Sequence, residues 1–366
     1  MDVVIRPGRY FCFLLKGSMM ASLLSCATIT SMYRLLSVGV ALFAMSAYVS
    51  QSQAGIVTFG TGANQFQMEF VTIGNPGNAA DTTGKPNPAG SVAYTYRIAK
   101  YETQADYIAK YNATFGNANN LAITYGNLGK KPANYVSWNE AARFVNWLNT
   151  DSGGYAAYKF TTVGVQDNIA LWTTEDPLDY DPLNPFRSKR ATYVLPSTDE
   201  WYKAAYYDPN KLGGAGYWKY TTGSDTAPTA VSSGTTPGTA VFNLNVDYDN
   251  NTAADADLAG GLSPYGVMGL GGNLLEWQEG AGSGINLAVG GHRAKRGGWY
   301  NDTNASGMLS TSFDNNKPPT YEIWMTGFRV VSLSSSAPPA VPEPSMMVIG
   351  TLFGLGGLVA KRRMKR

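Results

Sequence analysis

The sequence predicts a single loop-rich α+β domain over residues 55–333, with few helices and short strands. Three observations favour this fold class. Glycine accounts for 41 of 366 residues, charged residues for 15% and aromatic residues for 12%, which is typical of a folded, loop-rich protein and not of a disordered one. Helix-start signals occur only in the first half of the domain. The second half consists of short β-like segments separated by turns.

The first elements of the domain are predicted strands. Residues 56–73 contain the apolar and alternating stretches IVTFG and FQMEFVTIG, as strands do. Residues 75–90 are rich in glycine, proline and asparagine and predict turns. Residues 91–102 (SVAYTYRIAKYE) return to β-forming residues.

Three helix starts follow. Each combines a capping residue with an acid three positions later, and the pairs are Thr103 with Asp106, Ser137 with Glu140, and Ser197 with Glu200. The last two are capping boxes, in which the hydroxyl accepts a free N–H and the glutamate accepts another. In the second predicted helix, four apolar residues share one face: Ala141, Phe144, Val145 and Leu148.

Residues 1–54 predict a signal peptide. Arg34 precedes an apolar run over 35–47, and Ser52 and Ala54 are small residues at the −3 and −1 positions of a cleavage site. The alternative is a membrane anchor, although the run is shorter than the ~20 residues of a membrane-spanning helix. Counted from Met1 the signal is long, so translation starting at one of three later methionines is also considered: Met19, Met20 and Met32.

The other end of the chain resembles the PEP-CTERM sorting signal of Gram-negative bacteria. A Ser/Pro linker (334–344) ends in Pro342, Glu343 and Pro344, an apolar run follows over 346–360, and KRRMKR closes the chain. The resemblance implies a transmembrane segment at 346–360, an exosortase as partner, and transit through the inner membrane to the cell surface or the medium. A plain C-terminal anchor is the alternative.

Charge and cysteine content limit the partners and the chemistry. The first 54 and last 22 residues hold nine of the 28 basic residues and one of the 26 acidic residues, so the part between them is acidic. An acidic domain excludes nucleic acid as a partner, because phosphate binding needs clustered Lys and Arg. Cys12 and Cys26 both precede the predicted cleavage site, so we expect a mature chain without cysteine.

Five ordered stretches resemble the formylglycine-generating enzyme family, also called sulfatase-modifying-factor-like. They are NYVSWNEAARFVNWLN, VLPSTDEWYKAAYYDP, SPYGVMGLGGNLLEW, RGGWY and GFRVVS, and the similarity covers most of residues 65–333. The resemblance implies a loop-rich variant of the C-type-lectin-like fold. Members of the family include copper-dependent oxidases, iron-dependent sulfoxide synthases and domains without known chemistry.

The residues argue against both metal-dependent activities. The oxidases bind copper through two cysteines after the RGG motif, whereas residues 296–331 contain none. Cu(I) prefers thiolate ligands, and iron in this family needs a histidine cluster, while His292 is the only histidine here. We therefore expect neither copper nor iron. A glycosidase would need two facing carboxylates, for which Glu276 and Glu279 are candidates.

The resemblance also implies calcium as a possible cofactor. Its first candidate site uses Glu276 with the carbonyls of Gly272 and Leu274, oxygen ligands of the kind Ca²⁺ prefers. The family usually has Asp or Asn seven residues before this glutamate, but this chain has Gly269. A second candidate site uses Asn243, Leu244 and either Asp255 or Asp257. Two further interpretations of Glu276 stay open, a metal-free loop anchor and a catalytic acid.

Two functions are considered for the domain. The first is a non-catalytic cell-surface module that binds polysaccharide or protein in the extracellular matrix, with Trp299, Tyr300 and Trp324 as candidate contacts. The alternative interpretation of these aromatic residues is that they belong to the core. The second function is an enzyme of unrecognised chemistry that uses polar groups of the family cleft: Arg296, Asp302, Asp314 and Arg329.

Overall fold

The structure is a computed structural model that describes residues 55–162, 164–246, 253–281 and 290–333. The predicted signal peptide, the Ser/Pro linker and the sorting signal with its predicted membrane segment lie outside these ranges. Within them, no helix combines the length and the apolar character that crossing a membrane requires.

A five-stranded sheet contains both ends of the described domain. Its order is β1-β2-β3-β13-β4, and all its pairs are antiparallel. The strands are β1 Gly55–Phe59, β2 Phe66–Ile73, β3 Tyr96–Ala99, β4 Tyr193–Val194 and β13 Val331–Ser332. The apolar stretches of residues 56–73 thus form strands, as predicted, and the two strands pair as an antiparallel hairpin. Only four residues of the β-rich segment 91–102 are in a strand.

A four-stranded sheet in the order β11-β10-β9-β12 contains Glu276 of the predicted site. Its strands are β9 Leu275–Ala281, β10 Arg293–Arg296, β11 Asp314–Lys317 and β12 Thr326–Gly327. Strand β12 runs parallel to β9 and places Gly327 beside Glu276. Strand β10 runs antiparallel on the other side and places Arg296 beside the same glutamate. Glu276 is therefore at the centre of this sheet.

Two small sheets complete the strands. An antiparallel pair joins β5 Tyr207–Asp208 to β6 Gly216–Tyr217, and a parallel pair joins β7 Thr229–Val231 to β8 Thr239–Val241. The described residues thus form mostly short strands joined by long loops, which confirms the predicted loop-rich character of the domain.

The described residues contain three α-helices, α1 Ala105–Tyr111, α2 Trp138–Asp151 and α3 Thr198–Tyr206. Both predicted capping boxes are present at the starts of α2 and α3. The predicted apolar face of α2 is completely buried in the main core.

The start predicted at Thr103 is wrong by one residue. Helix α1 is preceded by Gln104, whose side chain makes no capping bond. Thr103 instead belongs to the neighbouring extended segment: its N–H donates to the Phe328 carbonyl, and its own carbonyl accepts from the Ala133 N–H. Long-range backbone pairing therefore fixes the conformation of Thr103.

Candidate functional site

Glu276 lies in a buried ion pair. Arg329 donates to both of its carboxylate oxygens, through Nη2 to Oε1 at 2.5 Å and through Nε to Oε2 at 2.6 Å. The indole Nε1 of Trp201 also donates to Oε2, at 2.7 Å. All three side chains are fully buried. The guanidinium supplies the counter-charge that a buried carboxylate requires.

Arg329 also contacts strand β3 and the loop that leads to β9. Its Nη1 donates to the carbonyl of Ala99 at 3.0 Å, and its Nη2 donates to the carbonyl of Met268 at 3.0 Å. Ala99 ends β3, and Met268 lies in the loop that leads to β9. The ion pair therefore connects the two larger sheets with each other and with the GLGGN loop (residues 269–273).

Glu102 is a second buried carboxylate beside this pair. Its Oε2 accepts from Asn273 Nδ2 at 2.6 Å, and its Oε1 accepts from the Leu274 N–H at 3.1 Å. Burial, followed by the charge of Glu276, raises the pKa of Glu102 to about 8, although Arg329 and the two hydrogen bonds act in the opposite direction. No sequence pattern pointed to this residue, because Glu102 lies far from the GLGGN motif in the chain.

Glu102 also explains what surrounds Gly269. A Cβ atom at position 269 would lie 2.9 Å from Glu102 Oε2, and the φ of Gly269 is +72°. The volume in which other family members are expected to carry an Asp or Asn side chain is thus occupied here by a carboxylate from another segment.

The backbone of the same loop packs very closely. Gly272 has a φ of +79°, and a Cβ there would lie 2.2 Å from the carbonyl oxygen of Val241. Asn273 follows with a φ of 60°, and its Oδ1 accepts from the Ala254 N–H. These contacts require the glycine and fix the loop before β9.

The donor set around Glu276 does not fit calcium. Both carboxylate oxygens of Glu276 accept hydrogen bonds from nitrogen donors, and one of these donors is the cation Arg329. Gly269 has no side chain that could act as a further ligand. Across the described residues, no three His, Cys, Asp or Glu side chains lie close enough together to hold a metal ion. The contacts favour the loop-anchor interpretation of Glu276, and no calcium ion is assigned to it.

The residues of the second candidate calcium site are engaged in other contacts. The backbone N–H groups of Asn243 and Leu244 donate to the carbonyls of Asp302 and Tyr300. Asp257 Oδ2 pairs with Lys130 Nζ at 2.9 Å on the surface. Asp255 lies two residues before it, at the start of a short 3-10 turn.

The three candidate contact residues form one aromatic cluster. The rings of Trp299 and Trp324 are 4.3 Å apart and both are half-buried, and the Tyr300 ring lies 5.1 Å from Trp299. Tyr300 is buried, and the cluster packs on Val241 and Leu274 in a small core of its own. Tyr300 is therefore a core residue, whereas the two tryptophans each have a solvent-facing part.

The polar groups of the predicted cleft contact different partners. Arg296 lies between the rings of Tyr202 and Phe313, and its Nη1 donates to the carbonyl of Ser312 at 2.7 Å. Asp302 Oδ2 accepts from the Trp299 N–H at 3.1 Å. Asp314 pairs with the buried Lys295 at 3.1 Å.

Glu279 is part of a second buried ion-pair cluster. Arg187 Nε donates to Glu279 Oε1 at 2.7 Å, while Arg187 Nη2 donates to Glu200 Oε2 at 3.0 Å. Tyr158 and Asn184 also donate to Glu279. Glu276 and Glu279 thus contact different arginines, and neither faces the other as a glycosidase pair would.

Comparison with known proteins gives one family match. The model described as the sulfatase-modifying factor enzyme 1-like domain matches residues 59–333, a range that contains all five ordered motifs. No curated protein sequence matches the chain significantly.

Similar solved structures include Treponema denticola variable protein 1, with 17% identity, 76% of this chain and 99% of that chain covered, and a TM-score of 0.48. CarF has 18% identity, with 77% and 96% covered and a TM-score of 0.44. The Major Tropism Determinant I1 variant has 13% identity, with 78% and 73% covered and a TM-score of 0.29. At these identities the similarity concerns the fold alone.

Proposed function

This chain belongs to the sulfatase-modifying factor enzyme 1-like family, and from that premise we propose that it is a non-catalytic binding module of the extracellular matrix. In this proposal the PEP-CTERM signal and an exosortase bring it to the cell surface. There its domain binds polysaccharide through the half-exposed pair Trp299 and Trp324. A surface protein is the other ligand class considered for the same aromatic pair.

The carrying observation is the geometry of the tryptophan pair. The two indole rings lie 4.3 Å apart and pack on the buried Tyr300, so they form an aromatic surface of fixed geometry. Backbone bonds from Asn243 and Leu244 to Asp302 and Tyr300 hold the loop that carries Trp299. A held aromatic surface suits sugar rings, because little conformational entropy is lost when a ligand stacks on it.

The engagement of the cleft residues supports a non-catalytic role. Arg329 is saturated by Glu276 and backbone carbonyls, and Lys295 neutralises Asp314. The matched range 59–333 contains no cysteine, which is the residue that the copper-dependent members use. The export part of the proposal rests on the sequence patterns at the two ends of the chain.

Retention on purified exopolysaccharide tests the proposal. We expect the wild-type protein to be retained, and Trp299→Ala with Trp324→Ala to reduce retention about tenfold or more, since one stacked ring contributes on the order of 1–2 kcal/mol. Tyr155→Ala is the matched control, because Tyr155 is an exposed aromatic residue on another loop. Equal retention of all three proteins, or none by the wild type, would overturn the proposal.

Metal analysis of the native protein addresses the alternative of an unrecognised enzyme. Stoichiometric copper or iron in protein isolated from its own host would favour that alternative over the binding module. A protein that contains neither metal and is retained on the polysaccharide would support the proposal.

A further inference from the structure

A cavity of about 330 Å³ lies beside helix α2, on different elements from the tryptophan pair. Four of its lining residues come from the helix, and their spacing of i, i+3, i+4 and i+7 places them on one face: Arg143, Asn146, Trp147 and Thr150. The opposite walls come from residues 115–121 and from the loop 156–172 that follows the helix. The volume is at the lower end of the range for small-molecule sites.

Five of the eleven residues that line the cavity are aromatic. Trp147, Tyr158, Phe160, Trp172 and Phe115 all line it. Hydrogen bonds fix the loop that carries three of them: Asn146 accepts from the Tyr158 N–H at 2.8 Å and donates to the Tyr158 carbonyl at 2.7 Å. The cavity is therefore a preformed feature of the fold.

The Trp172 side chain is held on the same loop. Its Nε1 donates to the carbonyl of Ala157 at 3.0 Å, and the adjacent backbone pairs Lys159 with Ala170. The indole ring thus has a defined position at the cavity, where a flat ligand could stack on it.

Arg143 is the cation of the cavity that has no carboxylate partner among the described residues. Its Nη2 donates to the carbonyls of Gly164 and Thr162, at 2.7 Å and 3.3 Å, and its guanidinium lies 3.8 Å from the centre of the Phe160 ring. Arg143 is only 7% exposed, and its Nε is buried without a hydrogen-bond partner. The guanidinium is thus a buried cation without a carboxylate partner among the described residues, and a bound anion would supply the missing counter-charge.

The other cation at the cavity is already neutralised. Lys159 Nζ lies 2.6 Å from Asp176 Oδ2. Asp167, the acid whose charge acts on Arg143, accepts from the Gly164 N–H at 2.9 Å and makes no ion pair with Arg143. The cavity therefore offers one buried positive charge within aromatic walls.

We propose that this cavity binds a small aromatic carboxylate. The flat ring of the ligand stacks between the aromatic walls, and its carboxylate accepts from the Arg143 guanidinium. This site is separate from the polymer-binding surface and does not depend on the proposed function.

The polar groups of the cavity favour an aromatic acid over an acidic sugar. Both amide atoms of Asn146 are used by the Tyr158 backbone, and the Tyr158 hydroxyl donates to Glu279 at 2.9 Å. Several sugar hydroxyls would thus enter an aromatic cavity with few partners, which opposes binding.

Calorimetric titration of the purified full-length chain tests the site with benzoate, with its neutral analogue benzyl alcohol, and with glucuronate. We expect saturable one-to-one binding of benzoate and about tenfold or more weaker binding of the other two compounds, because a hydrogen bond to a charged group is worth ~1.5–3 kcal/mol. Equal binding of benzoate and benzyl alcohol, tighter binding of glucuronate, or no binding of benzoate would overturn the proposal.

Three variants locate the site. Arg143→Gln should weaken benzoate binding about tenfold or more, to the level of benzyl alcohol. Arg190→Gln is the matched control and should bind like the wild type, because Arg190 also lies 3.8 Å from a ring, that of Tyr155, but is paired with Asp179 outside the cavity.

Ala156→Leu adds volume at the cavity and leaves the bonds of Arg143 in place. It should also weaken benzoate binding about tenfold or more, since forcing extra side-chain volume into a packed site costs ~1–3 kcal/mol. Thermal unfolding confirms that each variant is folded. If Arg143→Gln does not fold, Ala156→Leu decides the location and benzyl alcohol decides the role of charge. Unchanged benzoate binding in the folded variants would contradict the assignment.

Discussion

At the scale of single residues, Glu276 derives its position from Arg329 and Trp201. Its neighbours in the chain, Leu274, Leu275 and Trp277, give it an apolar sequence context that fits a catalyst, a metal ligand or an anchor equally well. The Arg329 guanidinium favours the anchor among these three roles, because it donates to both oxygens of the carboxylate. That contact joins residues 53 positions apart and so could not be derived from the local sequence.

Removing one partner of this ion pair should be strongly destabilising. We expect Arg329→Met or Glu276→Gln to lower the free energy of unfolding by about 3–5 kcal/mol, because each leaves a buried group without its partner. Urea denaturation measures the effect. Lys159→Met is the control for a partly exposed pair and should cost about 1 kcal/mol or less. Costs of similar size for the two pairs would contradict the anchor interpretation.

Asp at position 269, the residue that the family resemblance leads us to expect there, should destabilise this protein. Gly269→Asp places a Cβ 2.9 Å from Glu102 Oε2 and brings a carboxylate into that buried space, so we expect a loss of ~1–3 kcal/mol. Gly266→Asp, at a φ of +89° with nothing within 4 Å of its Cβ, reports the cost of the backbone conformation alone. Combining Gly269→Asp with Glu102→Ala should give less than the sum of the two losses. Strict additivity in chemical denaturation would contradict the contact.

Glu102 should make stability depend on pH. Its pKa is raised from 4.5 to about 8 on folding, so between these values the folded state binds more protons than the unfolded state. The free energy of unfolding should therefore fall as pH rises through this window, by at most about 1.4 kcal/mol per pH unit for one group. Glu140, whose pKa burial raises to about 7, contributes in the same direction. Urea denaturation from pH 5 to 8 measures the free energy of unfolding at each pH. Its decrease with pH should be smaller for Glu102→Gln than for the wild type, and an equal decrease would exclude Glu102 as a source of the pH dependence.

At the scale of elements, local sequence patterns predicted those features that depend on residues close together in the chain. Strands β1 and β2, both capping boxes and the buried face of α2 follow from spacings of two to four residues. The start of α1, the brevity of β3 and the parallel pairing of β12 with β9 do not, because distant segments determine them. The candidate site shows the same division: Glu276 was found by motif, whereas Glu102 and Trp201 come from elsewhere in the chain.

Helix capping provides a test at this scale. Ser197→Ala should lower the free energy of unfolding by ~1 kcal/mol, because the serine hydroxyl accepts from the Glu200 N–H at the start of α3. Thr103→Val should be close to neutral, since the Thr103 hydroxyl is buried without a partner and valine has nearly the same shape. Thermal unfolding of both variants measures the difference. A cost of ~1 kcal/mol for Thr103→Val would mean that this hydroxyl caps α1 after all.

At the scale of the whole molecule, two buried clusters of ion pairs hold together the long loops of the described domain. One contains Glu276 and Arg329, and the other contains Arg187, Glu200 and Glu279. Each arginine connects several segments of the chain, because arginine supplies both positive charge and several donors. A loop-rich fold can thus be fixed by side chains from its own chain.

Calcium titration is the test at this scale. We expect the melting temperature of the purified protein to change by less than about 1 °C up to millimolar Ca²⁺ and after chelation with EGTA, since a ligand stabilises only if it binds the folded state. Calcium bound at Glu276 would predict otherwise: saturation at 100 times the dissociation constant adds about 2.7 kcal/mol, or several degrees for a domain of this size. Arg329→Met frees the Glu276 carboxylate, so a calcium response confined to this variant would show that the guanidinium occupies the place of the ion. A response of the wild type that Glu276→Gln abolishes would instead establish Glu276 as a calcium ligand and overturn the anchor interpretation.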